Sequence, residues 1–326
     1  MSEGHETPMS REEHALLVRA ARMYYVDDSS KVEIADALGV SRFKVARLLE
    51  QARDRGVVTI TVHDAGTLVP DLATALAEHL GLRRVVVVES AGSLAEVRDE
   101  VGQAAANLLG ETLEAGEVLG LAWGRTLTAM SAAMPPLPRV DVVQLTGAIG
   151  TDLEESPVEI VRKVALRSGG TARPIFAPLV VDDPRTADAL RRQPDVAAAL
   201  KMFDDVTTAM LAIGSWDPPV SQLLAALPPA DAAAMREAGV RAEVATILVS
   251  DTGEVLAPQF ARRCITIRAD QLRRIPRVIA VAAGAEKAHA VVAVARSGLL
   301  TELVTDRSLA EAALELPPVT TARTEA

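Results

Sequence analysis

Through the first fifty positions the apolar residues recur at helical spacing. "HALLVRAARMYYVDD", His14 to Asp28, sets them three and four apart, which predicts a helix with one buried face. "VEIADALGVSRFKVARLL", Val32 to Leu49, repeats that spacing on both sides of a single glycine, Gly39, and predicts two short helices joined by a tight turn. From about Leu68 the pattern changes. Short apolar runs, "RRVVVVES", "EVLGLAWG", "VDVVQLTGAIG", "TTAMLAIGS", "EVATILVS" and "RVIAVAAG", each read as one strand. Between them lie helical stretches such as "LAEVRDEVGQAAANLLGETL", "PVEIVRKVALRSG" and "EKAHAVVAVARSG". Strands in regular alternation with helices predict a doubly wound, mostly parallel α/β sheet covered on both faces.

The first pattern has the position-by-position chemistry of a helix-turn-helix. Counted from Lys31, Ala35 falls where two helices approach too closely for a larger side chain, and Gly39 falls where the turn needs a positive φ. Ile34, Leu38, Val40, Val45 and Leu48 take the packing positions, and Ser41 is suited to cap the second helix. Ser41, Arg42, Phe43, Lys44 and Arg47 then form or flank the exposed side that would face a DNA groove. The plain alternative is a helical hairpin with a solvated basic face. The run "GVVTITVHD" that follows reads as a short β wing or the start of a linker.

Charge sharpens this reading. The chain of 326 residues carries a formal net charge of -10, but Ser41 to Arg55 holds five basic and two acidic residues. A locally basic helix is what phosphate contact needs, and the acidic remainder disfavours indiscriminate coating of DNA. Hydrophobic residues make up 49% and aromatics 2%, so the core is expected to be aliphatic. The expected organisation is a helix-turn-helix domain over 1–62, a linker over 63–70, an α/β domain over 71–318 and a frayed tail over 319–326. No apolar run reaches the roughly 18 residues of a membrane span, and the N-terminus has no signal-like apolar region. The expectation is a cytoplasmic protein.

Three strand ends carry candidate binding chemistry, because ligands of such sheets sit outside the carboxyl ends of the strands. Gly124, Arg125 and Thr126 follow "GLAW" and open a helix, where free N–H groups, a hydroxyl and a guanidinium suit a phosphate or carboxylate; the alternative is a simple strand-to-helix turn. Gln144, Thr146 and Gly147 end another strand, either beside a ligand or as a glycine-rich turn with Gly150. Lys287 stands in the opening turn of a late helix, where the helix dipole disfavours a cation unless an anion joins it; the alternative is a solvated lysine. Gly214 with Ser215 ends a further strand and could approach the same cleft.

Enzyme chemistry is thin by comparison. The five histidines, His5, His14, His63, His79 and His289, lack metal-ligand spacing, and one cysteine, Cys264, excludes a cysteine-rich metal site. Nucleophile elbow, P-loop and dinucleotide fingerprint are all missing. Asp182, Asp183 and Asp251 could act as bases, but the alternative for acids in such loops is simple solvation. Neither a metal nor a cofactor is expected.

"LLVRAARMYYVDDSSKVEIADALGVSRFKVARLLEQARDRGVVTI" resembles the N-terminal domain of SorC-type bacterial transcriptional regulators. "LGLAWGRTL", "VVQLTGAIG", "LAIGS" and "RVIAVAAGAEKAHAVVAVARSGLLTELVTD" resemble their C-terminal sugar-binding domain, in the same order. The resemblance implies a homo-oligomer, dimer or tetramer, whose affinity for operator DNA is changed by a sugar or sugar phosphate. It also implies an effector domain related in fold to sugar-phosphate isomerases, which leaves an isomerase-like α/β enzyme as the alternative. On that basis Gly124, Arg125 and Thr126 correspond to the phosphate-side loop, Gln144, Thr146 and Gly147 to a second loop, and Lys287 to the lysine at the last helix. One departure stands out: where such regulators tend to have Gly-Asp before a late strand, this chain has Ala242-Glu243.

Overall fold

The computed structural model describes residues 11–27, 29–58, 67–149 and 155–319. Gly150, His5, His63, most of the expected wing and the end of the tail lie outside the described residues. The chain divides into two compact units, residues 1–64 and 65–326.

The first unit is a three-helix cluster of α1 (Arg11–Tyr25), α2 (Lys31–Leu38) and α3 (Arg42–Asp54). Ser30 and Glu33 form a reciprocal capping box that starts α2. Gly39 ends it at φ 64°, and the Val40 N–H returns to the Ala35 carbonyl at 3.0 Å. Ile34, Ala35, Val45, Leu48, Leu49 and Ala52 are buried against Leu17, Ala20 and Ala21 of α1. The small residue and the apolar positions thus meet in one core, and the exposed glycine turns the chain between the two helices.

In the second unit come α4 (Pro70–Leu80), β1 (Arg84–Val88), α5 (Leu94–Thr112), β2 (Val118–Leu121), α6 (Arg125–Ala132), β3 (Asp141–Gln144), α7 (Pro157–Ser168), β4 (Ala172–Arg173), α8 (Pro184–Arg191) and α9 (Pro194–Lys201). They are followed by β5 (Thr208–Ser215), α10 (Gln222–Ala226), α11 (Pro229–Glu237), β6 (Val240–Val244), β7 (Ile247–Ser250), α12 (Pro258–Ala261), α13 (Ala269–Leu272), β8 (Arg277–Val281), α14 (Ala288–Arg296), β9 (Glu302–Asp306) and α15 (Arg307–Leu314). The main sheet runs β1-β9-β8-β5-β2-β3-β4, all parallel. Residues of β5, β8 and β9 are buried almost throughout, as expected of parallel strands covered on both faces. Chain order reverses between β5 and β2, so a crevice opens at the carboxyl ends of those two strands.

Several details differ from the pattern reading. "EVATILVS" is a bend rather than one strand. Val244 ends β6, Ala245 (φ 48°) and Thr246 (φ 65°) turn the chain, and Ile247 starts β7, which pairs antiparallel with β6. The hairpin pairs with the end of β5, which runs on past the parallel sheet as far as Ser215. Two adjacent left-handed residues suit a tight hairpin turn, but neither is the Gly, Asn or Asp that usually signals one. β9 is fully buried although "ELVTD" reads as half polar, because both acids are engaged. Glu302 pairs with Arg277 at 2.9 Å and Arg83 at 2.7 Å, and Asp306 accepts from the Gly284 and Leu309 N–H groups.

The boundaries also shift. The Val69 N–H donates to the Val87 carbonyl at 2.9 Å and the Glu89 N–H to that of Thr67 at 2.7 Å, so the last residues of the expected linker belong to the second unit. Val319, first of the expected tail, donates to the His79 carbonyl at 2.9 Å.

Candidate nucleic-acid interface and ligand cleft

α3 separates its faces cleanly. Val45, Leu48, Leu49 and Ala52 are buried, while Arg42, Phe43, Lys44 and Arg47 are exposed. Ser41 caps the helix, its hydroxyl accepting from the Lys44 N–H at 3.2 Å. The cap leaves Arg42, Phe43 and Lys44 projecting from the first turn of α3, with Arg47 on the turn that follows.

The cleft forms at the crevice between β2 and β5. Gly124 caps α6 at φ 145°, a conformation few side chains adopt, and a Cβ there would lie 2.6 Å from that of Ala212. The glycine therefore allows β5 and the start of α6 to close on each other. Arg125 and the buried Thr126 open α6 at this point. From the other side Lys287, in a short 3-10 turn just before α14, sends its Nζ to the Ile213 carbonyl at 2.7 Å. It is buried, not the solvated lysine of the alternative reading. Gly214 lies on the wall, where a Cβ would collide with the Glu243 carboxylate.

Two further residues line the cleft, Arg98 with no warning in the sequence and Glu243 noted there only as a departure from the family pattern. Arg98, one turn into α5, faces the cleft and belongs to no motif. Glu243 is fully enclosed; its carboxylate accepts from the Ser221 hydroxyl at 2.9 Å and the Thr246 N–H at 3.3 Å. The Ala242-Glu243 departure thus brings a longer carboxylate into the cleft. Only the folding of "EVATILVS" into a hairpin reveals that position.

The cleft gathers three cations and one buried carboxylate, Glu243. Arg98, Arg125 and Lys287 converge on it. Burial, with Arg125 and Arg98 nearby, lowers the Lys287 ammonium to about 8. Burial and the Arg125 charge likewise hold the Arg98 guanidinium below its usual range. Burial raises Glu243, against the pull of its hydrogen bonds and of Lys287. The Lys287 and Arg98 shifts report like charges drawn together with partial loss of water.

The cleft is narrow, with about 30 Å³ of free space, room for one or two waters. Val220, Ser221 and Gln222 line one side of it. Arg125 donates to the Val220 carbonyl at 3.2 Å, Ser221 donates to Glu243, and the Gln222 amide donates to Glu155.

Gln144, Thr146 and Gly147 lie apart from this lining. The Gln144 amide is buried, donating to the Thr146 and Ile175 carbonyls and accepting from the Ile175 N–H at 3.2 Å. Thr146 bridges to Thr266, and Gly147 sits where a Cβ would lie 2.7 Å from the Pro178 carbonyl oxygen. These three hold the loop after β3 together. Among the acids considered as bases, Asp183 caps α8 by accepting from the Arg185 and Thr186 N–H groups.

Known proteins are similar to this chain along nearly its whole length. An uncharacterised transcriptional regulator of Escherichia coli strain K12, YjhU, is 28% identical over 314 residues, 92% of this chain and 95% of its own. The deoxyribonucleoside regulator of Bacillus subtilis strain 168 is 26% identical over 309 residues, 93% of this chain and 98% of its own. Among solved structures, the full-length sorbitol operon regulator SorC of Klebsiella pneumoniae has the same fold. It has a TM-score of 0.70 at 23% identity and covers 94% of this chain and all of its own. Residues 67–315 match the family described as "Putative sugar-binding domain", so the chain belongs to that family and is similar along nearly its whole length to SorC-type transcriptional regulators.

Proposed function

We propose that the chain is a transcriptional regulator that reads operator DNA with α3 and whose operator affinity is set by a sugar or sugar phosphate in the narrow cleft. The observation that carries this reading is the convergence of Arg98, Arg125 and Lys287 at the strand ends of the family's sugar-binding domain. A second basic surface, on α3, lies in the other unit. The anionic end of the effector sits among those three cations, Thr126 and the first N–H groups of α6. Its hydroxyls face Glu243, Ser221 and Gly214. Binding displaces Val220 from Arg125 and Ser221 from Glu243, so the Trp216–Gln222 segment moves when the effector enters. The relatives named for deoxyribonucleosides and for the sorbitol operon support the ligand class.

Arg42, Lys44 and Arg47 contact DNA, with Ser41 and Phe43 assisting at the helix start, and the protein acts as a homo-oligomer, dimer or tetramer. It is a regulator rather than an enzyme. A gel shift on the DNA upstream of the protein's own gene, with and without free and phosphorylated sugars, tests the proposal. A shift that a phosphorylated sugar strengthens or weakens is expected. A folded protein that binds no such DNA but converts a sugar phosphate would overturn it in favour of the isomerase-like alternative.

A further inference from the structure

The second unit contains another cavity, of about 670 Å³, on the far side of the Ala245–Thr246 turn from the effector cleft. Its walls come from β7, α12 and the stretch up to Ala269, with Phe203 behind them. The floor is apolar and deeply inset: Phe203, Leu248, Phe260, Cys264 and Ile267 are each at most 2% exposed. None of the exposed large hydrophobic residues in the described chain lines it, as some would on an open docking face. The size falls within the roughly 300–1,000 Å³ of small-molecule sites.

The rim gives the polarity. Arg191 is committed, pairing with Asp188 at 2.7 Å and donating to the Arg262 and Cys264 carbonyls, and Arg268 pairs with Asp270 at 2.9 Å. The Arg262 guanidinium is exposed and makes neither an ion pair nor a hydrogen bond among the described residues. An apolar floor beneath one uncommitted cation does not suit a sugar, which needs polar partners throughout.

We propose that this cavity is a second ligand site, for an organic monoanion with an aromatic or branched hydrocarbon body, whose acidic group pairs with Arg262. The site stands independently of what occupies the cleft. Its position gives it a route to that cleft, because Ala245 lines one space and Thr246 the other, and the Thr246 N–H holds Glu243.

The test uses the full chain and 8-anilinonaphthalene-1-sulfonate, an aromatic monoanion. Saturable fluorescence with one site per chain is expected, unaffected by inorganic phosphate and weakened about tenfold in Arg262→Ala, the loss of one charge-assisted contact. A second readout uses the unaltered chain: 4-phenylbutyrate, an aromatic-bodied monoanion, should displace the probe, and uncharged 4-phenylbutan-1-ol should not. That second readout needs no substitution and so does not depend on a variant folding. No saturable binding, binding displaced by phosphate, or no displacement by 4-phenylbutyrate would each overturn the site. So would a change in oligomer size on light scattering when the probe binds, which would make the cavity a subunit interface.

Discussion

Phe43 is 86% exposed on the first turn of α3, and nothing within its own unit requires an aromatic there. On the proposed reading, this ring flanked by Arg42, Lys44 and Arg47 would be covered by the thymine methyls and sugar edges of a groove. A folded Arg42→Ala/Lys44→Ala/Arg47→Ala variant should lose operator binding and show a shallower dependence on salt. A base-reading arginine costs about 1–3 kcal/mol, whereas a phosphate-binding lysine mainly reduces the salt slope. Unchanged affinity and slope by fluorescence anisotropy would remove α3 from the interface. Lys287 gives a prediction whose sign follows from its burial. Unfolded, it titrates near 10.5, and folded near 8, so below pH 8 both states hold the proton and the burial penalty is present in full. Between pH 8 and 10.5 the unfolded chain keeps a proton that the folded chain has lost. Stability should therefore rise with pH across that window, and Lys287→Met should flatten the rise in urea midpoints. An anionic effector has the opposite dependence, since it needs the ammonium form. Its affinity should fall as pH climbs through about 8, and calorimetry in two buffers of different ionisation enthalpy should show proton uptake there.

Among the elements, those governed by local rules were legible in the sequence, and those governed by tertiary partners were not. α2 and α3 follow from Gly39, Ser41 and the spacing of Ile34, Ala35, Val45 and Leu48, all acting within twenty residues. β9 was hidden because Glu302 is paired with Arg83 and Arg277 and Asp306 accepts from the Gly284 N–H, all of them groups away from β9 in sequence. The β6–β7 hairpin was hidden because Ala245 and Thr246 carry no turn chemistry. Their conformation is held instead by the Thr266 hydroxyl on the Ala245 carbonyl at 2.8 Å and by Glu243 on the Thr246 N–H. The cleft was half legible for the same reason. Glycine, arginine and threonine at the start of α6 announce themselves, but Arg98 sits mid-pattern on α5 and Glu243 enters only through the hairpin. Conversely, Gln144 and Thr146 have the right residue types at a strand end, and the fold spends them on the loop after β3. Gly39 allows an element-scale test. No atom lies within 4 Å of where its Cβ would be, so Gly39→Ala meets only the left-handed backbone, at roughly 1–2 kcal/mol. Hydrogen exchange on the full chain should show α2 and α3 amides losing about 5–30-fold in protection, with the second unit unchanged. Equal loss in both units would mean they do not unfold separately.

For the whole molecule, a net charge of -10 is compatible with DNA binding only if the contact is confined to the basic stretch Ser41–Arg55. A recognition helix alone buries little surface, so the proposed function calls for two such units paired on one duplex. Their half-sites then lie about one helical turn, or a multiple of it, apart, on one face of the DNA. Light scattering should therefore report a dimer or tetramer at micromolar concentration, and the operator should be palindromic or repeated. Inserting about five base pairs between half-sites rotates one to the opposite face and should abolish tight binding, while about ten should restore part of it. The effector acts on this assembly through differential affinity for two arrangements; a coupling of about 1–3 kcal/mol changes operator affinity 5–150-fold. Linkage makes the coupling reciprocal, so operator DNA must shift the effector's affinity by the same factor. Titrating an identified effector with and without a saturating operator duplex measures that factor directly. Equal shifts in the two directions are expected. An effector that binds Arg125 and Lys287 with the same affinity in both conditions would show that the cleft binds a ligand without regulating the DNA contact.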